Sequence, residues 1–140
     1  MPIIQGKLLM NISDKNNRTL AIVTFYKDII ENREFVTDVS EEMQFAKFNL
    51  QKGYIVNKHY HQKQERTIYS TAETIIVLDG KIEVSLFEET SNNLVKKIVL
   101  ESKDSIVMLH GGHSVEILED AKFVEVKQGP YMENLDKEIF

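Results

Sequence analysis

His59-Tyr60-His61 sets two imidazoles one residue apart behind the strand-forming stretch Tyr54-Ile55-Val56. On a strand, alternate residues leave the same face, so both rings reach toward one point with Tyr60 opposite. Such a pair either holds a metal through ring nitrogens or is two imidazoles that share a strand. Glu73 opens another run and by period two shares a face with Ile75 and Val77. A carboxylate on an inward face needs a partner, which is Arg66, a tyrosine or a metal ion. A further histidine, His113, follows Gly111-Gly112 and leads the alternating set Val115 and Ile117. It caps a glycine turn or points inward with them.

Other residues carry two readings each. Arg66 is a bidentate clamp for a carboxylate or phosphate, or an ordinary surface arginine. His110 is a solvated loop histidine or stands behind the other imidazoles. Gln44 lines a pocket or bonds to backbone, and Lys127 and Tyr131 are pocket residues or a latch beside Gly129-Pro130. The end of the chain, Glu133 to Phe140, is a docked tail or a frayed end.

The elements that must position these groups are short apolar runs rich in Ile, Val and Phe, broken by Asn, Asp, Gly and Ser, the pattern of an all-β sandwich or barrel. Strands are predicted over Ile3 to Met10, Leu20 to Tyr26, Met43 to Leu50, Tyr54 to Tyr60, Thr74 to Leu78, Lys81 to Glu88, Val95 to Leu100, Ile106 to Leu109, Ser114 to Leu118 and Lys122 to Lys127. Asp79-Gly80 reads as a two-residue hairpin turn pairing Thr74 to Leu78 with Lys81 to Glu88. Over Met43 to Leu50 the alternation puts Gln44, Ala46, Phe48 and Leu50 inward, with Phe45 and Lys47 outward. Asp38 to Glu41 fits one capped helical turn or a polar loop.

Composition narrows the function classes. The 140 residues suffice for one domain with a core of its own, and 42% are hydrophobic against 28% charged, as in ordinary globular chains. A net charge of -5 without a basic run argues against nucleic-acid and anionic-membrane partners. The absence of cysteine removes thiolate chemistry, so any metal must use nitrogen and oxygen donors. No apolar run is long enough to span a membrane, and MPIIQGKLLMNISDK lacks a leader pattern, so a cytoplasmic location is expected.

The order Gly53, His59, His61, Glu73, Gly80, followed by Lys103-Asp-Ser-Ile-Val-Met-Leu-His-Gly-Gly-His113, resembles the two motifs of the cupin superfamily. It departs by a longer gap, Gln62 to Ala72, and by lacking the second motif's leading glycine and its proline. The resemblance implies a single jelly-roll (double-stranded β-helix) domain over 1–140, with a core barrel at about 44–127, added N-terminal strands over 1–43 and a tail over 128–140. It implies a divalent transition metal (Fe, Mn, Ni, Cu or Zn) held by His59, His61, Glu73 and His113. Glu125-Val-Lys-Gln-Gly-Pro-Tyr131 is similar to a bacterial cupin subgroup found near polysaccharide and nucleotide-sugar genes, which implies a sugar or sugar nucleotide as ligand.

Three functions are compatible with these residues. The first is a metal-dependent enzyme of isomerase or oxygenase type acting on a small polar substrate. The second is a metal-free isomerase or epimerase of keto sugars on a nucleotide, using His59, His61 and Tyr69 as acid and base with Arg66 as anion clamp. The third is a sugar-binding module without turnover. Exposed sheet edges lead to an expected homodimer.

Overall fold

The computed structural model describes residues 10–140, so the strand expected from Ile3 falls outside it except for Met10. Its elements are β1 (Met10–Ser13), β2 (Thr19–Thr24), a 3-10 turn (Tyr26–Asp28), β3 (Arg33–Phe35), β4 (Ala46–Phe48), β5 (Glu73–Phe87), β6 (Leu94–Glu101), β7 (Ser105–Met108) and β8 (Gly112–Lys127). Every pairing is antiparallel. The main sheet runs β1-β2-β7-β5-β6, with β8 also paired to β5, and β3-β4 form a separate ribbon. The fold is all-β and consistent with a β-sandwich.

Asp79-Gly80 does not make the expected hairpin. β5 runs through it as one strand of 15 residues, and Thr74 to Leu78 do not pair with Lys81 to Glu88. The first half of β5 pairs with β7 and the second half with β6, while β8 follows it along both halves. Positive φ at the glycine is the signal that a hairpin and a bend share; here φ is +85° and serves the bend. Burial selects the bend. Ile75 and Val77 from one half join Ile82, Val84 and Leu86 from the other, with Ile98, Leu100, Ile106 and Met108, in one buried cluster. In a flat hairpin those rows would share one sheet face; folded across two layers, they cover each other.

The other face of β2 and β7 is buried as well, which is why both strands read as unbroken apolar runs. Ile22, Val107, Leu109 and Ala72 pack there with Val36, Met43 and Phe45 from the segments flanking the β3-β4 ribbon. On β4 the expected parity is inverted. Lys47 is buried with its ammonium 3.7 Å from Glu34 and 3.4 Å from the Asp28 carbonyl, while Phe48 is 50% exposed. The ion pair and the buried methylene stem decide the register against a simple count of apolar residues. Gln44 bonds to the Asp38 and Glu41 carbonyls, and Asp38 to Glu41 form a hydrogen-bonded turn without a helix.

Two further expectations change. The strand over Tyr54 to Tyr60 is absent: from 49 to 72 the backbone is irregular, with a turn at Lys52-Gly53, and joins β4 to β5 without pairing into a sheet. No closed barrel forms among the described residues, because the edge of β8 away from β5 pairs with nothing there. Ser114 to Leu118 and Lys122 to Lys127 merge into β8, whose register shifts opposite the bend.

A Cβ added at Gly80 would lie 2.1 Å from the Asp120 carbonyl oxygen on β8. Gly80→Ala is therefore expected to destabilise by more than the about 1–2 kcal/mol of a left-handed alanine alone. Urea unfolding measures it, and a loss within that range would show that the bend has room.

Candidate active site

The bend carries the two ends of β5 and β8 to one place. Glu73 begins β5, and His113 faces Leu86 near its other end, yet Glu73 Oε2 and His113 Nε2 lie 3.4 Å apart. Glu73 extends the buried row of Ile75 and Val77, and His113 stands opposite the buried Leu86, two residues before Val115, which packs on the core. The carboxylate is 13% exposed and the imidazole 31%, so the pair sits at the rim of the core, within reach of solvent.

Two residues of β8 complete the cluster from the Glu73 side. Lys127 stands opposite Glu73 and Glu125 opposite Ile75, so both share its face. The His113 hydrogen bond, then a proton donated by Glu125, hold the Glu73 carboxyl down to about 2 against the cost of burial. Glu125 moves the other way. Its bond to Glu73 favours its protonated form, and burial adds to the rise. The two carboxyls are thus coupled, the ionised form favoured at Glu73 and the protonated form at Glu125.

The tail after β8 closes over this end. Lys127 Nζ is 3.0 Å from Asp136 and lies over the Tyr131 ring, 5.3 Å from its centre. Phe140 packs edge-to-face on Phe87 at 5.4 Å and covers Gly112. The segment therefore starts beside Glu73 and finishes beside His113. Lys127 and Tyr131 latch it, and Glu133 to Phe140 form a docked tail.

Of the expected metal set, Glu73 and His113 meet, while His59 and His61 do not join them. Those two rings touch each other, centres 5.3 Å apart, on the irregular segment after β4. They line a groove of about 580 Å³ with Phe35, Phe48, Tyr54 and Val56 on the ribbon side. Two donors at one point do not fit the four-ligand ion, and among the described residues no group of three or more His, Asp or Glu is arranged to hold one. Arg66 is exposed on the same segment, and the neighbours of Glu73 are His113, Glu125 and Lys127 in place of Arg66 or a tyrosine.

Tyr69 and His110 lie elsewhere, around a second, polar cavity of about 380 Å³ with Arg18, Glu42 and Ser70. Arg18 donates to His110 Nδ1 at 2.9 Å, which leaves Nε2 to donate to Glu41 at 3.1 Å. Glu42 accepts from the Tyr69 and Ser70 amides and the Ser70 hydroxyl, tying down the chain just before β5. The bonds of this cluster brace loops, while Tyr69 itself is 90% exposed.

Sequence reasoning missed Glu125 and Asp136. The signal for Glu125 was available, since it alternates with Phe123 and Lys127 on β8; Asp136 lies on an irregular tail with no period to read.

Because the Glu73 carboxyl sits below its ordinary value, its contribution to stability is complete above about pH 4.5 and is lost as pH falls toward about 2. Glu125, shifted upward, contributes in the opposite sense, its share fading as pH rises through its raised value. The urea-midpoint difference between the wild type and Glu73→Gln is expected to shrink over that acid window. A difference constant from pH 6 to 2.5 would show that the ionised carboxylate is not what holds the site.

No protein-family model, curated protein or solved structure matches the chain.

Proposed function

We propose that the protein is a small-molecule enzyme of acid–base type, working at the tail-covered end of the sandwich on a polar, sugar-like substrate that carries an anionic group. The observation that carries this reading is the contact of Glu73 with His113, with the second carboxyl, Glu125, on the same face of the neighbouring strand. Carboxylate and imidazole in contact form the unit that fixes a ring tautomer and steadies charge as a proton moves. His113 is the proton carrier in this reading, and Glu73 holds and orients its ring. Lys127 is the anion anchor, its ammonium engaged by the Asp136 carboxylate until a substrate anion takes that place.

A second reading keeps the divalent metal. Its support is that Glu73 and His113, the two members of the expected set borne on regular strands, do converge. A carboxylate oxygen and an imidazole nitrogen are the donor types such an ion takes.

The test is proton exchange in D2O with nucleotide-linked keto sugars, uronic acids and aldonic acids, followed by NMR. The expected result is deuterium entering a carbon next to a carbonyl, slowed about 10²–10⁴-fold in His113→Gln. Binding detected by thermal shift and abolished in Lys127→Met, with no exchange for any compound, would overturn the enzyme reading in favour of a binding module. Elemental analysis of chelator-free protein separates the two enzyme readings: stoichiometric metal that is lost in His113→Gln supports the second.

A further inference from the structure

Two stretches of backbone have the character of paired strands and lack partners among the described residues. The first is Tyr54 to His61, YIVNKHYH, whose β-branched and aromatic residues suit a sheet. It has no regular structure and is exposed, with Ile55 at 79%, Val56 at 62% and Tyr60 at 91%. Its one backbone bond outside regular elements joins the Tyr54 amide to Gln51, at the entry turn. The second is the outer edge of β8, 16 residues long, with Ile117, Leu118, Val124 and Val126 each at least 43% exposed. A long apolar edge of this kind is what folded proteins ordinarily cover, twist away or charge.

We propose that Tyr54 to His61 of one copy adds as a strand along the first half of β8 in a second copy, and reciprocally, so that two chains complete each other's sandwiches. In the structure the segment does not reach its own β8. Its far part lies along the ribbon groove beside Phe35 and Phe48, and its base is held by the bonds of Glu42 to Tyr69 and Ser70. β1 lies beyond β2 and β7 from β5, away from the open edge of β8. A two-fold exchange pairs Tyr54 to His61 and the first half of the β8 edge in both chains at once.

Charge and pattern select a register. With the added strand antiparallel to β8 and His61 beside His113, Lys58 stands opposite Glu116 and Tyr60 opposite Ser114 on the outer face. His59 then falls beside Val115 on the inner face. The two histidines left out of the cluster in one chain are thereby delivered by the partner to the end of the sandwich that holds Glu73 and His113. The exchange rests on the unpaired backbone of the two stretches and not on any role assigned to His113, so proton-exchange activity and strand exchange fail separately.

The experiment mixes isotopically light and heavy protein, refolds the mixture, and applies a zero-length carbodiimide, followed by mass spectrometry and light scattering. The expected result is a dimer whose Lys58–Glu116 cross-links join light to heavy chains. Val56→Pro removes one amide donor at a site that pairs with nothing among the described residues, so it leaves the circular dichroism of the sandwich intact and weakens dimerisation by about tenfold or more. A monomer throughout the micromolar range, cross-links confined to single isotopes, or a dimer indifferent to Val56→Pro would each overturn the exchange.

Discussion

The contact on which everything else depends is the close approach of β8 backbone to Gly80. There the Asp120 carbonyl occupies the space of a side chain, and β5 turns from one layer into the other. Without that turn the inward residues of β5 would lie along one flat face, and its two ends would stand on the order of 40 Å apart for a strand of this length. With it, two apolar rows close on each other and Glu73 comes within 3.4 Å of His113. The same residue sets the core and the site.

The electrostatics at that end follow from geometry more than from burial alone. Burial pushes the Glu73 carboxyl up, and its side-chain bonds to His113 and Glu125 outweigh that and hold it low, with Lys127 adding a favourable field. Lys127 is satisfied in turn by Asp136, so the tail supplies a carboxylate to the ammonium of the cluster. An ammonium paired with an acid from a surface tail is a position that an anionic ligand can compete for at modest cost.

Much of this was legible in the sequence. Alternation identified the all-β class and the strands that became β2, β6 and β7; of the row expected inward from His113, Val115 packs on the core while Ile117 is half exposed. Glu73 was correctly read as an inward carboxylate in need of a partner. What failed, failed for identifiable reasons. Asp79-Gly80 carries the positive φ of a hairpin, but positive φ does not say whether the chain reverses within a sheet or bends between two. The parity of β4 was set by the Lys47–Glu34 ion pair, which outweighs the apolar count that predicted the opposite face. Tyr54 to His61 has strand composition without a strand partner among the described residues, and no periodicity reveals where a partner lies.

The account stands on the proximity of two side chains forty residues apart, and NMR through-space contacts read it directly. The expected result is nuclear Overhauser contacts from the His113 ring to the Glu73 methylenes, together with cross-strand contacts linking Val84 to Val115. Their absence, with contacts from Val77 to Ile82 across a two-residue turn in their place, would contradict the bend and the site it builds.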